Sequence, residues 1–142
     1  MKAKAIQILL VEDDEVDREA IQRAFSDARI ANAITVAGDG VEALEILRGN
    51  AERRALPKPY TILLDLNMPR MDGLKFLEQL REDPNLCGSV VFVLTTSERG
   101  EDIISAYKHK VAGYILKAAA DSQFTSLIKL LHCHWKQVEF PV

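Results

Sequence analysis

Short apolar runs alternate along this chain with stretches whose apolar residues recur every three or four positions. Ile6 to Val11 reads as a strand, and Val16, Ala20, Ile21, Ala24, Phe25 and Ala28 then follow at helical spacing, with Asp14 placed to cap that helix. Ala33 to Ala37 predicts a short strand, Gly38-Asp39-Gly40 a turn, and Val41, Leu44, Ile46 and Leu47 a second helix. Gly49 to Pro59 is polar, holds two prolines and predicts a long surface connection. Tyr60 to Leu64 is the third strand. Pro69 to Gly73 forms a loop into a helix with Leu74, Leu77 and Leu80 inward, which Asp83-Pro84 ends. Val90 to Leu94 is almost unbroken apolar sequence, as a strand covered on both faces requires. Gly100 to Tyr107 predicts a fourth helix and Gly113 to Leu116 a fifth strand. Asp121 opens a last helix whose apolar face is Phe124, Leu127, Ile128, Leu131, Trp135 and Val138.

Strict alternation of five strands with five helices predicts an α/β fold: a doubly wound parallel sheet with helices on both faces. Right-handed crossovers put the carboxyl ends of all strands on one edge, where ligands bind in open sheets of this type. Composition changes little in this picture. With 142 residues, 48% hydrophobic and 27% charged, the chain is expected to fold as one soluble domain spanning residues 1–142, with an extended C-terminal helix and a short tail. A net charge of -3 argues against general attraction to nucleic acid or to an anionic membrane. Cys87 and Cys133 lack metal-ligand or redox-motif spacing and read as reduced thiols of a cytoplasmic protein. No apolar run is long enough to span a bilayer, and the apolar stretch after Met1-Lys2-Ala3-Lys4 stops at Glu12, too soon for a secretory signal.

Charge at the strand ends carries the chemistry. Asp65 closes the third strand, Glu12-Asp13-Asp14 the first, and Lys117 the fifth, while Thr95 ends the fourth. An isolated carboxylate at the tip of a buried strand is costly unless something pairs with it. The topology predicts that Glu12, Asp13 and Asp65 meet, and two carboxylates about 4 Å apart repel by roughly 4 kcal/mol at an effective dielectric near 20. Such a cluster wants a divalent cation, and an all-oxygen site suits Mg²⁺ or Mn²⁺. Lys117 supplies a point charge and Thr95 a hydroxyl for a phosphoryl oxygen, so the parts needed for phosphoryl transfer to a carboxylate are present. Any one of these residues alone has a plain explanation as a cap or a solvated loop charge. The signal lies in four of them falling at four strand ends.

Val11-Glu12-Asp13-Asp14, Leu63-Leu64-Asp65-Leu66-Asn67-Met68-Pro69 with Asp72-Gly73, Leu94-Thr95-Thr96 and Gly113-Tyr114-Ile115-Leu116-Lys117 together resemble the receiver domain of two-component response regulators, over nearly the whole chain. The resemblance implies a flavodoxin-like sheet of strand order 2-1-3-4-5. It makes Asp65 the acceptor of a phosphoryl group from a phosphohistidine on a sensor histidine kinase. Asp13 would bind Mg²⁺ directly, Glu12 through water, and Asn67 through its backbone carbonyl. Thr95 and Lys117 would bind phosphoryl oxygens, Tyr114 would be the aromatic switch residue, and Thr96 would border access to the acyl phosphate. Ala118 follows Lys117 where receivers usually carry proline, often after a cis bond. That bond costs about 2.5–4 kcal/mol before any other residue, which bears on the course of this loop.

The Gly49 to Pro59 loop, the Asp83 to Val90 segment, the missing proline and the Trp135 to Pro141 tail are similar to the small regulators that partner phytochrome-type histidine kinases. That similarity implies a bacteriophytochrome partner and a homodimer formed by the last helix with its neighbouring strand and helix. Leu130 and Cys133 lie off the buried stripe of that helix, as such an interface needs. His132-Cys133-His134 does not suit metal ligation, because neighbouring helix positions point to different faces. Lys108-His109-Lys110 reads as a solvated loop, and Met68 and Met71 as packing at the rim of the site. Two other functions fit the same parts. One is a Mg²⁺-dependent phosphatase with an aspartyl nucleophile, although Asn67 stands where such enzymes carry a second Asp. The other is a receiver-fold interaction module that is never phosphorylated. The leading expectation is a stand-alone phosphoacceptor switch that takes part in its own phosphorylation and dephosphorylation and is not an enzyme.

Overall fold

The computed structural model describes residues 6–68, 70–117 and 124–141. Its elements are β1 (Gln7–Val11), α1 (Glu15–Asp27), β2 (Ile34–Ala37), α2 (Gly40–Arg48), β3 (Tyr60–Leu64), α3 (Gly73–Glu82), β4 (Val90–Thr95), α4 (Gly100–Lys108), β5 (Gly113–Leu116) and α5 (Phe124–Gln137). The five strands form one parallel sheet in the order β2-β1-β3-β4-β5, the doubly wound arrangement that the alternation and the family resemblance predict.

Successive strand side chains face opposite ways, so each strand feeds two cores. Leu9, Val11, Ile62, Leu64, Val91 and Val93 face α2, α3 and α4, where Leu44, Leu47, Phe76, Leu77, Leu80 and Ala106 meet them. Ile8, Leu10, Leu63, Phe92 and Leu94 face α1 and α5, against Ile21, Phe25, Ile128, Leu131 and Trp135. Trp135 stacks on Phe25 at 6.2 Å and meets Phe92 edge-on at the same separation. Full burial of each large side chain contributes roughly 1.5–3 kcal/mol, so the central strands are the most firmly held part of the molecule.

Element ends differ slightly from the pattern. Ile6 precedes β1 but still packs on the core, and Ala33 precedes β2 while its carbonyl accepts from the Ile8 N–H at 3.0 Å. The predicted turn at 38–40 contains the start of α2, because Asp39 caps it through the Glu42 N–H at 2.9 Å. Asp14 caps α1 as expected, accepting from the Val16 and Asp17 N–H groups. The connection after α2 is long and mostly exposed, but it is anchored by the Leu56 N–H on the Ile46 carbonyl at 3.0 Å. Gly49 opens it at φ 75°, and a Cβ there would lie 2.5 Å from the Ala55 nitrogen. Val138 is a correction. Apolar spacing puts it on the face of the last helix, but α5 ends at Gln137 and Val138 lies beyond it, 39% exposed, while Phe140 returns to pack on the core. The Phe124 and Leu127 side chains, Asp121 as helix opener, Ala118 and the loop it begins, Pro69 and Val142 lie outside the described residues.

At the sheet edge where the strands begin, Arg81 near the end of α3 joins two loops. Its guanidinium donates to the carbonyls of Cys87 (2.8 Å), Ser89 (2.7 Å), His109 (2.6 Å) and Lys110 (3.0 Å). The loop at 108–110, expected to be merely solvated, is therefore held through its backbone, with Lys110 in the left-handed region at φ 60°.

Candidate metal centre

β1 and β3 are neighbours in register, Val11 opposite Leu64, so the residues that follow them emerge side by side. The ladder runs on through the Asp65 N–H on the Val11 carbonyl at 3.0 Å, while the Glu12 N–H bonds the Ala37 carbonyl at 2.9 Å. Gly73 lets α3 sit directly on this turn, since a Cβ there would lie 2.6 Å from the Asp65 carbonyl oxygen. Ligand oxygens of Glu12, Asp13 and Asp65 all lie within 4.8 Å of one another, the only such grouping among the described residues. The convergence predicted from the strand ends is present.

Glu12 is 1% exposed, Asp65 is buried and Asp13 is exposed. Burial pushes the Glu12 carboxyl up to about 7; the hydrogen bond from Lys117 opposes this and the Asp65 charge adds to it. A buried carboxyl beside another carboxylate is relieved either by a proton or by a cation. The donor set is three oxygens of hard, anionic character, which suits a divalent ion that prefers oxygen ligands. Arg18 holds the backbone of the acidic loop, Nε donating to the Glu12 carbonyl at 2.7 Å and Nη2 to the Asp13 carbonyl at 3.2 Å. The Asn67 N–H donates to Asp65 Oδ1 at 3.3 Å.

Lys117 follows β5 and reaches across the sheet edge. Its Nζ donates to Glu12 Oε1, to Asp17 Oδ2 at 2.7 Å and to Asp65 Oδ2 at 3.4 Å. Burial alone would lower its proton affinity, but the bonds to Asp17 and Glu12 and the charges of Asp65 and Glu12 outweigh this and hold it above the ordinary lysine value. Thr95 is fully buried at the end of β4, its hydroxyl oxygen accepting from the Ser97 N–H at 3.4 Å, and Thr96 is exposed. The Tyr114 hydroxyl donates to the Ser97 carbonyl at 2.9 Å, tying β5 to the loop before α4. Met68 is buried and Met71 packs over Gly40, so both serve in packing. Asp17 and Arg18 were not anticipated. The available signal was that both sit in the first turn of α1, directly after the capping Asp14 and at the edge where β1 ends. His134 meets Phe92 edge-on at 6.1 Å, and Cys133 is an exposed free thiol.

Residues 8–129 match the response regulator receiver domain family. The chain belongs to this family. Response regulator Rcp1 of Synechocystis sp. (strain ATCC 27184 / PCC 6803 / Kazusa) is 32% identical over 128 residues, covering 90% of this chain and 87% of Rcp1. Among solved structures, the phosphorylated cyanobacterial phytochrome response regulator RcpA superposes with a TM-score of 0.87 at 34% identity, covering 98% of this receiver and 100% of RcpA. The Mn(2+)-bound form of response regulator Rcp1 gives 0.84 at 31% identity, covering 96% and 99%. This receiver is thus related to phytochrome response regulators. No helix among its described residues is long and apolar enough to cross a membrane.

Proposed function

We propose that this receiver accepts a phosphoryl group on Asp65 from a phosphohistidine of a sensor histidine kinase, with Mg²⁺, or Mn²⁺, held by Glu12, Asp13, Asp65 and the Asn67 backbone carbonyl. The observation that carries the reading is the three-carboxylate cluster with one lysine aimed into it. An Asp65 carboxylate oxygen supplies the electron pair for the new O–P bond, and the donor imidazole leaves with the pair of the broken N–P bond. When bound, the metal neutralises the acids and the phosphoryl oxygens. Lys117 donates a hydrogen bond to a phosphoryl oxygen and keeps its proton, and the Thr95 hydroxyl offers a second. Thr96 borders the approach to Asp65, and Tyr114 exchanges its Ser97 bond as the loop before α4 follows Thr95.

Relatedness to phytochrome response regulators supports a phytochrome-type kinase as donor, and the proposed exchange is a cytoplasmic one. A homodimer through α5 with the adjacent β5 and α4 fits the exposed side chains there, among them Leu130 at 67% and Ile104 at 60%. Light scattering on dilution tests it, and a monomer at high micromolar concentration would remove the dimer. The acceptor is tested by intact mass after incubation with acetyl phosphate and Mg²⁺. One phosphate is expected on the wild type and none on Asp65→Asn; the same adduct on the variant would move the acceptor elsewhere.

A further inference from the structure

Lys117 has one partner that neither the metal cluster nor the acceptor accounts for. Glu12 belongs to the cluster, and Asp65 belongs to it and is the acceptor. Asp17 is outside the cluster, yet its Oδ2 lies 2.7 Å from Nζ, against 3.4 Å for Asp65 Oδ2. We infer that Asp17 is a positioning residue that fixes the Lys117 ammonium for phosphoryl transfer, an inference that rests on Asp65 being the acceptor.

An ammonium group has three N–H donors in a fixed tetrahedral spread. Here they meet three carboxylates: Glu12, Asp17 and Asp65. Two anchored N–H groups dictate where the third points, and it points at the acceptor. Once a cation draws on Glu12, Asp17 is the anchor left to Lys117 that has no other duty at the site. Asp17 is well placed for this. It sits in the first turn of α1 with its N–H on Asp14 Oδ1 at 3.3 Å, and α1 is seated on the core by Ile21 and Phe25.

The helix itself explains an acid at this position only in part. A carboxylate in the first turn favours the helix dipole by a few tenths to about 1 kcal/mol, and any solvent-facing orientation provides that. Asp17 instead turns toward a site that already holds three carboxylates. Adding negative charge there raises the repulsion among them, so the contact is explained by what it does to Lys117. A tightly held ammonium stays at hydrogen-bond length from the oxygens of the incoming phosphoryl group. An unanchored one collapses onto the Asp65 carboxylate and blunts the nucleophile.

The test uses the full chain, Mg²⁺ at saturation and acetyl phosphate. An Asp65 oxygen bonds to phosphorus, and acetate leaves with the electron pair of the broken O–P bond. The rate of adduct formation is followed by intact mass for wild type, Asp17→Asn, Lys117→Ala and the double variant. Asp17→Asn is expected to slow the reaction about tenfold, as misplacement of a reacting-site group does. In the Lys117→Ala background the same change is expected to do nothing further, because residues acting through one another are not additive. An unchanged rate in Asp17→Asn overturns the inference, and so does a penalty that persists in full without Lys117. Nitrogen-detected NMR of the Lys117 ammonium supplies a readout without phosphorylation. Its protons are expected to exchange slowly in the wild type and to broaden in Asp17→Asn, and an unaltered signal overturns the contact. Absence of any adduct on the wild type would instead bring down the acceptor reading, and the positioning role with it.

Discussion

The two edges of the sheet handle charge in opposite ways. Where the strands begin, the Arg81 guanidinium meets four neutral carbonyls. Where the strands end, the Lys117 ammonium is shared among three carboxylates, Asp13 adds a fourth acid close by, and Arg18 bonds only the backbone carbonyls of Glu12 and Asp13. The first edge is balanced and joins two loops into a frame. The second is over-acidic and is relieved by a proton on Glu12 or by a divalent ion. One fold thus keeps a satisfied end that carries stability and an unsatisfied end where the proposed phosphoryl transfer would take place.

Removing Arg81 should be the most costly break of that contrast. Arg81→Ala strands four carbonyls, two of them in a loop whose Lys110 sits at φ 60°, and should cost about 3–4 kcal/mol, or roughly 10 °C of midpoint. Arg81→Lys should recover little of it, since an ammonium cannot span the planar fork. Urea unfolding measures both, and a loss below 1 kcal/mol would show that the frame lies elsewhere.

The over-acidic edge should declare itself through pH. Glu12 binds its proton more tightly in the fold, at about 7, than in the unfolded chain, at 4.5. Its contribution to stability is therefore fully present below pH 4.5, declines as pH rises through about 7, and is gone above that. A change of this size corresponds to about 3 kcal/mol. Denaturant midpoints of metal-free protein at pH 5 and pH 8 report it, and excess Mg²⁺ should restore the loss at pH 8. Asp39, held below the usual carboxylate range mainly by its hydrogen bond from Arg70, acts in the other direction, only below pH 3.8, outside this window. A flat profile from pH 5 to pH 8 would remove Glu12 from the account.

Asp65→Asn sharpens the comparison with the smallest effect. Taking one charge from the cluster should stabilise the metal-free protein by only about 1 kcal/mol, because the relieved carboxylate repulsion of roughly 4 kcal/mol is largely offset by the lost charged contact with Lys117. It should also narrow the pH-dependent loss, because the Asp65 charge is one of the influences that raise Glu12. Destabilisation by this substitution would mean that the Asp65 contacts with Lys117 and the Asn67 N–H outweigh its repulsion with Glu12.

Much of this molecule was legible in its residue order. The apolar runs at 7–11, 60–64 and 90–95 suit strands covered on both faces, and their alternation with helices, joined by right-handed crossovers, puts Glu12, Asp65, Thr95 and Lys117 on one edge of a parallel sheet. Periodicity and strand-end charge are local properties, so residue order alone carried the fold class, the two helix layers and the gathering of acidic strand tips at one edge, while the acceptor role of Asp65 came from the family resemblance. Val138 was misplaced because apolar spacing does not reveal where a helix stops once its last core contact, Trp135, is made. Folding in three dimensions settled which distant groups touch: Asp17 with Lys117, a hundred residues apart, and Arg81 with the loops at 87–89 and 109–110. Those contacts depend on the seating of α1 and α3 against the sheet to within an ångström or two. That seating is set by the packing of all the core side chains at once, a property that no single stretch of the chain contains.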